Sequence, residues 1–328
     1  MPRSAPPVVN SLRSFVPADV IDAHAHLLRR IDANSTVRGW LPEEQHDYGI
    51  DAYRRGVAQW MGDRTPQAGL FFALPVKEID FPAANEFVRQ EVQNSPGSRG
   101  LMVISPDDDP GEVESTVSAG NWAGFKPYHL FARGENTYEA ALTDYLPEWC
   151  WEIAHRRELA LMIHLVRSRA LADGANQAAL QRLCEAYPGA TVILAHAGRG
   201  FCARHTIEGV QTLSGLGNLY FDTSAICEAP ALQAVLKVFG PARLLYGSDF
   251  PVSQMTGKCA SIGDGFAWFD RGVVDWSSSP FARPEQIGLE SLIALQQACW
   301  LAGITDDGVE RIFSGNAKSL LGIANCDA

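Results

Sequence analysis

Two histidines one residue apart, His24 and His26 in the run DAHAH, are the first residues in this chain whose types and spacing could do chemistry. Side chains alternate across a β-strand, so positions i and i+2 share a face, and two neutral imidazoles on one face can hold a divalent ion. A lone His-x-His also arises as an ordinary polar strand end, so the pair needs company. His164 closes the apolar run ALMIH, His196 closes VILAH, and Asp249 closes LLYGSD. Independent placement of polar residues does not account for so many potential ligands at the ends of short apolar runs. If those runs are strands of one closed sheet, the five side chains converge on one cavity as a metal site.

The runs themselves occupy 20–24, 69–74, 100–104, 124–128, 159–164, 191–196, 219–223 and 244–249. Each is short and nearly all apolar, as parallel strands covered on both faces require. Helical patterns fall between them at 82–94, 139–158, 176–187, 203–213, 229–239 and 288–302, with Asp144 and Pro147 as weak spots in the second. The repeated alternation predicts an α/β fold, a parallel eight-stranded (β/α)8 TIM barrel. The competing doubly wound sheet would carry a Gly-rich phosphate turn, and neither GxGxxG nor GxxxxGK[ST] occurs.

Long connections span roughly 27–49 and 251–284, on the face of a barrel where active sites are built. The second contains Phe266, Trp268, Phe269, Trp276 and Phe281, enough aromatic surface to roof a pocket or to make an oligomer contact. The chain, 1–328, reads as a single barrel domain, with 1–18 as a loose N-terminal arm.

Composition narrows the class. A chain with 46% hydrophobic and 20% charged residues has the balance of a soluble globular protein. The net charge of −11 argues against nucleic acid, whose phosphates call for clustered Lys and Arg. No apolar stretch is long enough to span a membrane, and the N-terminal residues lack the apolar core of a secretory signal. The 7 cysteines show no CxxC pair and read as reduced, mostly buried thiols of a cytoplasmic protein.

The set DAHAH, IHL, LAHAG and YGSDFP, followed by IFSGNAKSLLGI, resembles the amidohydrolase superfamily. The resemblance is to the amidohydrolase-2 branch in particular, which also holds aminocarboxymuconate-semialdehyde decarboxylase, related decarboxylases and hydratases, and lactonases. It runs from about residue 19 to residue 323, and its motifs are specific in combination. It implies a distorted barrel with one or two divalent ions at the mouth. By position it implies His24, His26, His164 and Asp249 as metal ligands. His196 matches a histidine that serves either as a ligand or as the catalytic partner of a water, and Asp249 also matches the carboxylate that shuttles a proton.

Lys126, in AGFKPYHL, matches the place where binuclear relatives carry a carboxylated lysine between two metals. It is equally read as a partner of a substrate carboxylate or as a lysine paired at the barrel mouth. His129 nearby reads as a supporting group or a plain surface histidine. Arg199 could supply a fork for a substrate carboxylate, as could Arg29 and Arg30. Asp222, Ser224 and Ser248 could orient ligands through hydrogen bonds, whereas His46, His155 and His205 receive no role. The expectation is a metal-dependent hydrolase, with one Zn2+ (or Mn2+), acting on an amide, lactone or related bond of a small carboxylated substrate. A decarboxylase or hydratase on the same scaffold is the alternative. A homodimer is a further expectation from the family.

Overall fold

The computed structural model describes residues 12–32, 47–77, 79–270 and 272–323. Eight strands follow the expected runs: β1 (Ile21–Arg29), β3 (Ala68–Ala73), β4 (Arg99–Ile104), β5 (Trp122–Pro127), β6 (Ala160–Ile163), β7 (Thr191–Leu194), β8 (Leu219–Asp222) and β9 (Leu244–Leu245). A short extra strand, β2 (Asp47–Tyr48), pairs antiparallel with the far end of β1. The sheet order is β2-β1-β3-β4-β5-β6-β7-β8-β9, and every pairing except β1 with β2 is parallel.

The curled sheet returns to its start through the segment after β9. Ala23 N–H donates to the Tyr246 carbonyl at 2.8 Å, Asp249 N–H to that of His24 at 2.8 Å, and His26 N–H to that of Phe250 at 2.7 Å. These bonds make the (β/α)8 barrel and set Asp249 beside the two histidines of β1.

Three of the larger helices begin where a short polar side chain takes up free backbone N–H groups. Asp80 caps α2 (Phe81–Gln93), Asp109 caps α3 (Pro110–Ala119) and Asp173 caps α5 (Gly174–Ala186). The others are α1 (Ile50–Met61), α4 (Glu148–Arg157), α6 (Ala203–Gly209), α7 (Ala229–Phe239) and α8 (Ile287–Ala302). The helix expected over 139–158 is broken at Pro147, which cannot continue a helical hydrogen-bond ladder; a turn at Leu142–Tyr145 precedes α4. Helices α1 and α3 were not legible in the sequence. Gly49 gives α1 no side-chain cap, and α3 buries only Val113 and Val117.

Two expectations need correction. The arm of 1–18 is packed from Leu12 onward: Leu12 and Val16 are buried, and Phe15 meets Phe313 edge-on at 5.5 Å. The connection 251–284 is not plain loop, because it holds the hairpin β10 (Gly257–Ile262) and β11 (Gly265–Asp270). Residues 33–46 of the first long connection, with His46, lie outside the described residues.

Candidate metal centre

His24 is fully buried in β1. Its Nδ1 lies 2.8 Å from Asp222 Oδ2, at the end of β8. Burial raises the proton affinity of Asp222, but its contacts with His24, His196 and Ser224 outweigh that and hold it below the usual carboxylate range. Burial lowers the pKa of His24. An ionised carboxylate facing a neutral imidazole fixes the proton on Nδ1, which leaves the His24 Nε2 lone pair bare. That buried Nε2 has no hydrogen-bond partner.

The same arrangement recurs at His196. Its Nδ1 lies 2.9 Å from the Ser224 carbonyl, so Nε2 is again the nitrogen left for a ligand. The backbone from His196 to Arg199 runs left-handed, with φ of 55°, 52°, 74° and 61°. Non-glycine residues there cost roughly 1–3 kcal/mol each and persist only when the surroundings hold them. Here the His196 N–H donates to Asp222 Oδ1 at 2.8 Å, and the Thr206 hydroxyl donates to the Ala197 carbonyl at 2.9 Å. Ser224 N–H and Oγ–H also donate to Asp222 Oδ1, so one carboxylate positions both histidines.

Asp249 is likewise left-handed, with φ of 60°, and follows the turn that closes the barrel. Its Oδ1 lies 3.4 Å from His24 Nε2 and 3.3 Å from His26 Nε2. Burial raises its pKa. One ligand atom each from His24, His196 and Asp249 lie within 4.8 Å of one another. Two imidazole nitrogens and a carboxylate oxygen converging this closely, one of the nitrogens an orphaned buried acceptor, fit a divalent cation of the zinc type.

The remaining expected residues line the same cavity, of about 360 Å³. Half-buried His164 lies beyond the end of β6, its ring 5.1 Å from that of His196. It therefore sits one ring away from the tight cluster, and His196 sits inside it. Lys126 on β5 is fully buried, its Nζ unpartnered and 4.6 Å above the Phe72 ring. Burial lowers its pKa to about 8. Arg199 donates to the Arg167 carbonyl at 3.0 Å and lies over Phe266, 5.4 Å from the ring centre.

Other expectations fall elsewhere. Arg29 is taken up by Asp32, at 2.8 Å. Ser248 touches no imidazole; its N–H donates to Asp22 at 2.9 Å, which supports the Asp249 turn. The surface reading of His129 is overturned, since it is buried, lines the cavity, and has an unpartnered Nδ1. Tyr128, Tyr138 and Phe201 line it too and were not singled out in the sequence. Their signal was proximity, because Tyr128 and His129 follow Lys126, and Phe201 follows Arg199. Of the aromatics expected to roof a pocket, Phe266 and Trp268 do so, while Phe281 faces solvent.

A closed parallel barrel whose mouth gathers His24, His196 and Asp249 around one point is a metal-dependent hydrolase or lyase. The amidohydrolase family model matches residues 21–323, and the chain belongs to that family. It is 23% identical over 292 residues to an L-fucono-1,5-lactonase of Burkholderia ambifaria, covering 82% of this chain and 92% of the lactonase. An amidohydrolase of Burkholderia multivorans solved with bound zinc shares the fold at a TM-score of 0.60 and 14% identity, over 93% of this chain and 100% of that one. A dihydroxybenzoic acid decarboxylase of Polaromonas sp., solved with manganese, does so at 0.56 and 15%, over 93% and 97%. Among the described residues no helix is long and apolar enough to cross a membrane, and the six described cysteines are buried and unpaired.

Proposed function

We propose that this enzyme is a hydrolase that opens an ester-like or amide bond, a lactone in the first instance, in a small carboxylated substrate. The observation that carries the reading is the presence of Asp249 and Lys126 together in the lining of one cavity. Asp249 is a buried carboxylate with raised proton affinity, and Lys126 is a buried ammonium without an acidic hydrogen-bond partner.

We take His24, His196 and Asp249 as the core ligands, with His26 and His164 completing the set, and zinc as the first ion to test. When bound, the ion supplies Lewis-acid polarisation of a carbonyl and lowers the pKa of water toward neutrality. The protein's own residues do the rest. Asp249, its proton affinity raised by burial, accepts the proton of the attacking water and returns it to the departing oxygen or nitrogen. The fixed Nδ1 protons keep His24 and His196 as neutral lone-pair donors. Lys126 and Arg199 take the substrate carboxylate, which brings the scissile carbonyl to Asp249 and offsets the uncompensated charge of the buried lysine.

The decarboxylase among the structural relatives keeps one alternative in play, in which Asp249 protonates a carbon after CO2 leaves. Incubating the zinc- or manganese-loaded protein with a panel of aldono-lactones and ring carboxylic acids separates the two. Acid release without CO2 supports hydrolysis; CO2 release without ring opening overturns it in favour of the lyase.

A further inference from the structure

We propose that Tyr53 and Asp22 form a buried positioning pair, and that the Tyr53 hydroxyl, acting through Asp22, sets the spacing between His24 and Asp249. This rests on the reading of His24 and Asp249 as ligands of one ion. Both members of the pair are fully buried, and neither lines the cavity. Whatever they do to an ion, they do through the backbone of its ligands.

Three donors meet on the Asp22 carboxylate, as a group so deep in the protein requires. Its Oδ1 accepts from the backbone N–H of His24 at 2.9 Å and from that of Ser248 at 2.9 Å. Its Oδ2 accepts from the Tyr53 hydroxyl at 2.8 Å. One oxygen therefore grips the chain at His24 and at the residue before Asp249, on the two sides of the seam where the sheet closes. The His24 carbonyl is taken as well, by the Asp249 N–H at 2.8 Å. The 3.4 Å between His24 Nε2 and Asp249 Oδ1 is thus held by a backbone pinned at both of its ends.

Tyr53 fixes that carboxylate in turn. It stands on α1 and packs edge-on against Phe71 of β3 at 5.0 Å and against Phe250 at 5.5 Å. Phe250 directly follows Asp249, so Tyr53 holds the closing turn on both sides of the ligand, at Ser248 through Asp22 and at Phe250 by ring packing. The helix can come this close because Gly56 has no side chain; a Cβ there would stand 2.6 Å from the Phe250 ring. A carboxylate bonded at both oxygens cannot turn about its own bond, and a site held this way loses little freedom when an ion arrives.

Chelator competition on the purified full-length protein gives dissociation constants for zinc and cobalt, and the visible absorption of the cobalt form reports ligand geometry. Tyr53→Phe removes one buried oxygen that touches no ligand. It should weaken both metals about tenfold and shift the cobalt bands. Asp22→Ala should do the same more strongly. Asp22→Asn should keep most of the affinity, because the amide oxygen still accepts both N–H groups and the NH2 can donate to the tyrosine oxygen. A pair that only supports the fold would lower the melting temperature of the metal-free protein and leave constants and bands at parent values. That result in Tyr53→Phe would overturn the inference, whether or not Asp22→Ala folds, and so would Asp22→Asn binding no better than Asp22→Ala. A parent protein that takes up neither metal would overturn the ligand reading itself, before any variant is compared.

Discussion

Asp222, at the end of β8, accepts the Nδ1 proton of His24 from β1 across 2.8 Å, and the pair is wholly buried. Asp222 is not among the residues lining the cavity, yet it also anchors the backbone of His196. Replacing it with asparagine puts an amide where the anion stood and loosens both rings. Metal affinity of Asp222→Asn should fall about 10- to 100-fold. Competition with a chromophoric chelator measures it; an unchanged dissociation constant would show that the imidazoles orient themselves.

Asp249→Asn keeps the size of the side chain and its place in the closing turn, but cannot carry a proton at neutral pH. Its kcat should drop by about two orders of magnitude or more while the melting temperature stays close to that of the parent. Metal content measured on the same sample separates loss of the proton carrier from loss of a ligand. Full metal with full turnover would remove Asp249 from the chemistry.

The strands and the residues at their ends were legible in the sequence because buried parallel strands write themselves as short apolar runs. His24, His26, His164, His196, Asp249, Lys126 and Arg199 all reach one cavity, as their positions implied. The sequence did not convey which of them are neighbours. His196 joins His24 and Asp249 because of a left-handed turn just past β7, and no run of residue types announces that turn. The choice between a supporting and a surface His129 was not legible for a related reason: it follows β5, and the packing of Tyr128 and Tyr138 against its ring encloses it.

Lys126 gives a prediction whose sign depends on pH. Its pKa is depressed by burial from 10.5 to about 8 in the folded protein. Between those values the unfolded chain binds more protons, so stability rises with pH across that window. Below about pH 8 the buried ammonium imposes its full cost, on the order of 3 kcal/mol. Lys126→Met should therefore stabilise the metal-free protein by about 1–3 kcal/mol at pH 7, and by much less at pH 10. Denaturant unfolding at both pH values tests this, and the same variant should lose affinity for carboxylate ligands. A gain of equal size at both pH values would refute the charge explanation.

Gly124 lies in β5 two residues before Lys126, at φ 153°. A Cβ there would stand 1.9 Å from the Ala160 carbonyl oxygen of β6, so the backbones would have to part. Gly124→Ala should cost about 3 kcal/mol or more and shift the position of Lys126. Thermal melting reports the first effect and carboxylate binding the second. A variant as stable as the parent would mean that β5 and β6 can slide apart freely.

The bonds that join β1 to the turn after β9 tie together residues more than two hundred positions apart, Ala23 with Tyr246 and His24 with Asp249. The ion's candidate ligands are split across that seam, so an ion gripping His24 and Asp249 acts as a clasp on the ring. Contacts of such long sequence separation form late and slowly. A fragment lacking either end would hold half a clasp and no site. Added metal should then stabilise only the completed ring, by mass action on the native state, and should slow its opening rather than hasten its assembly.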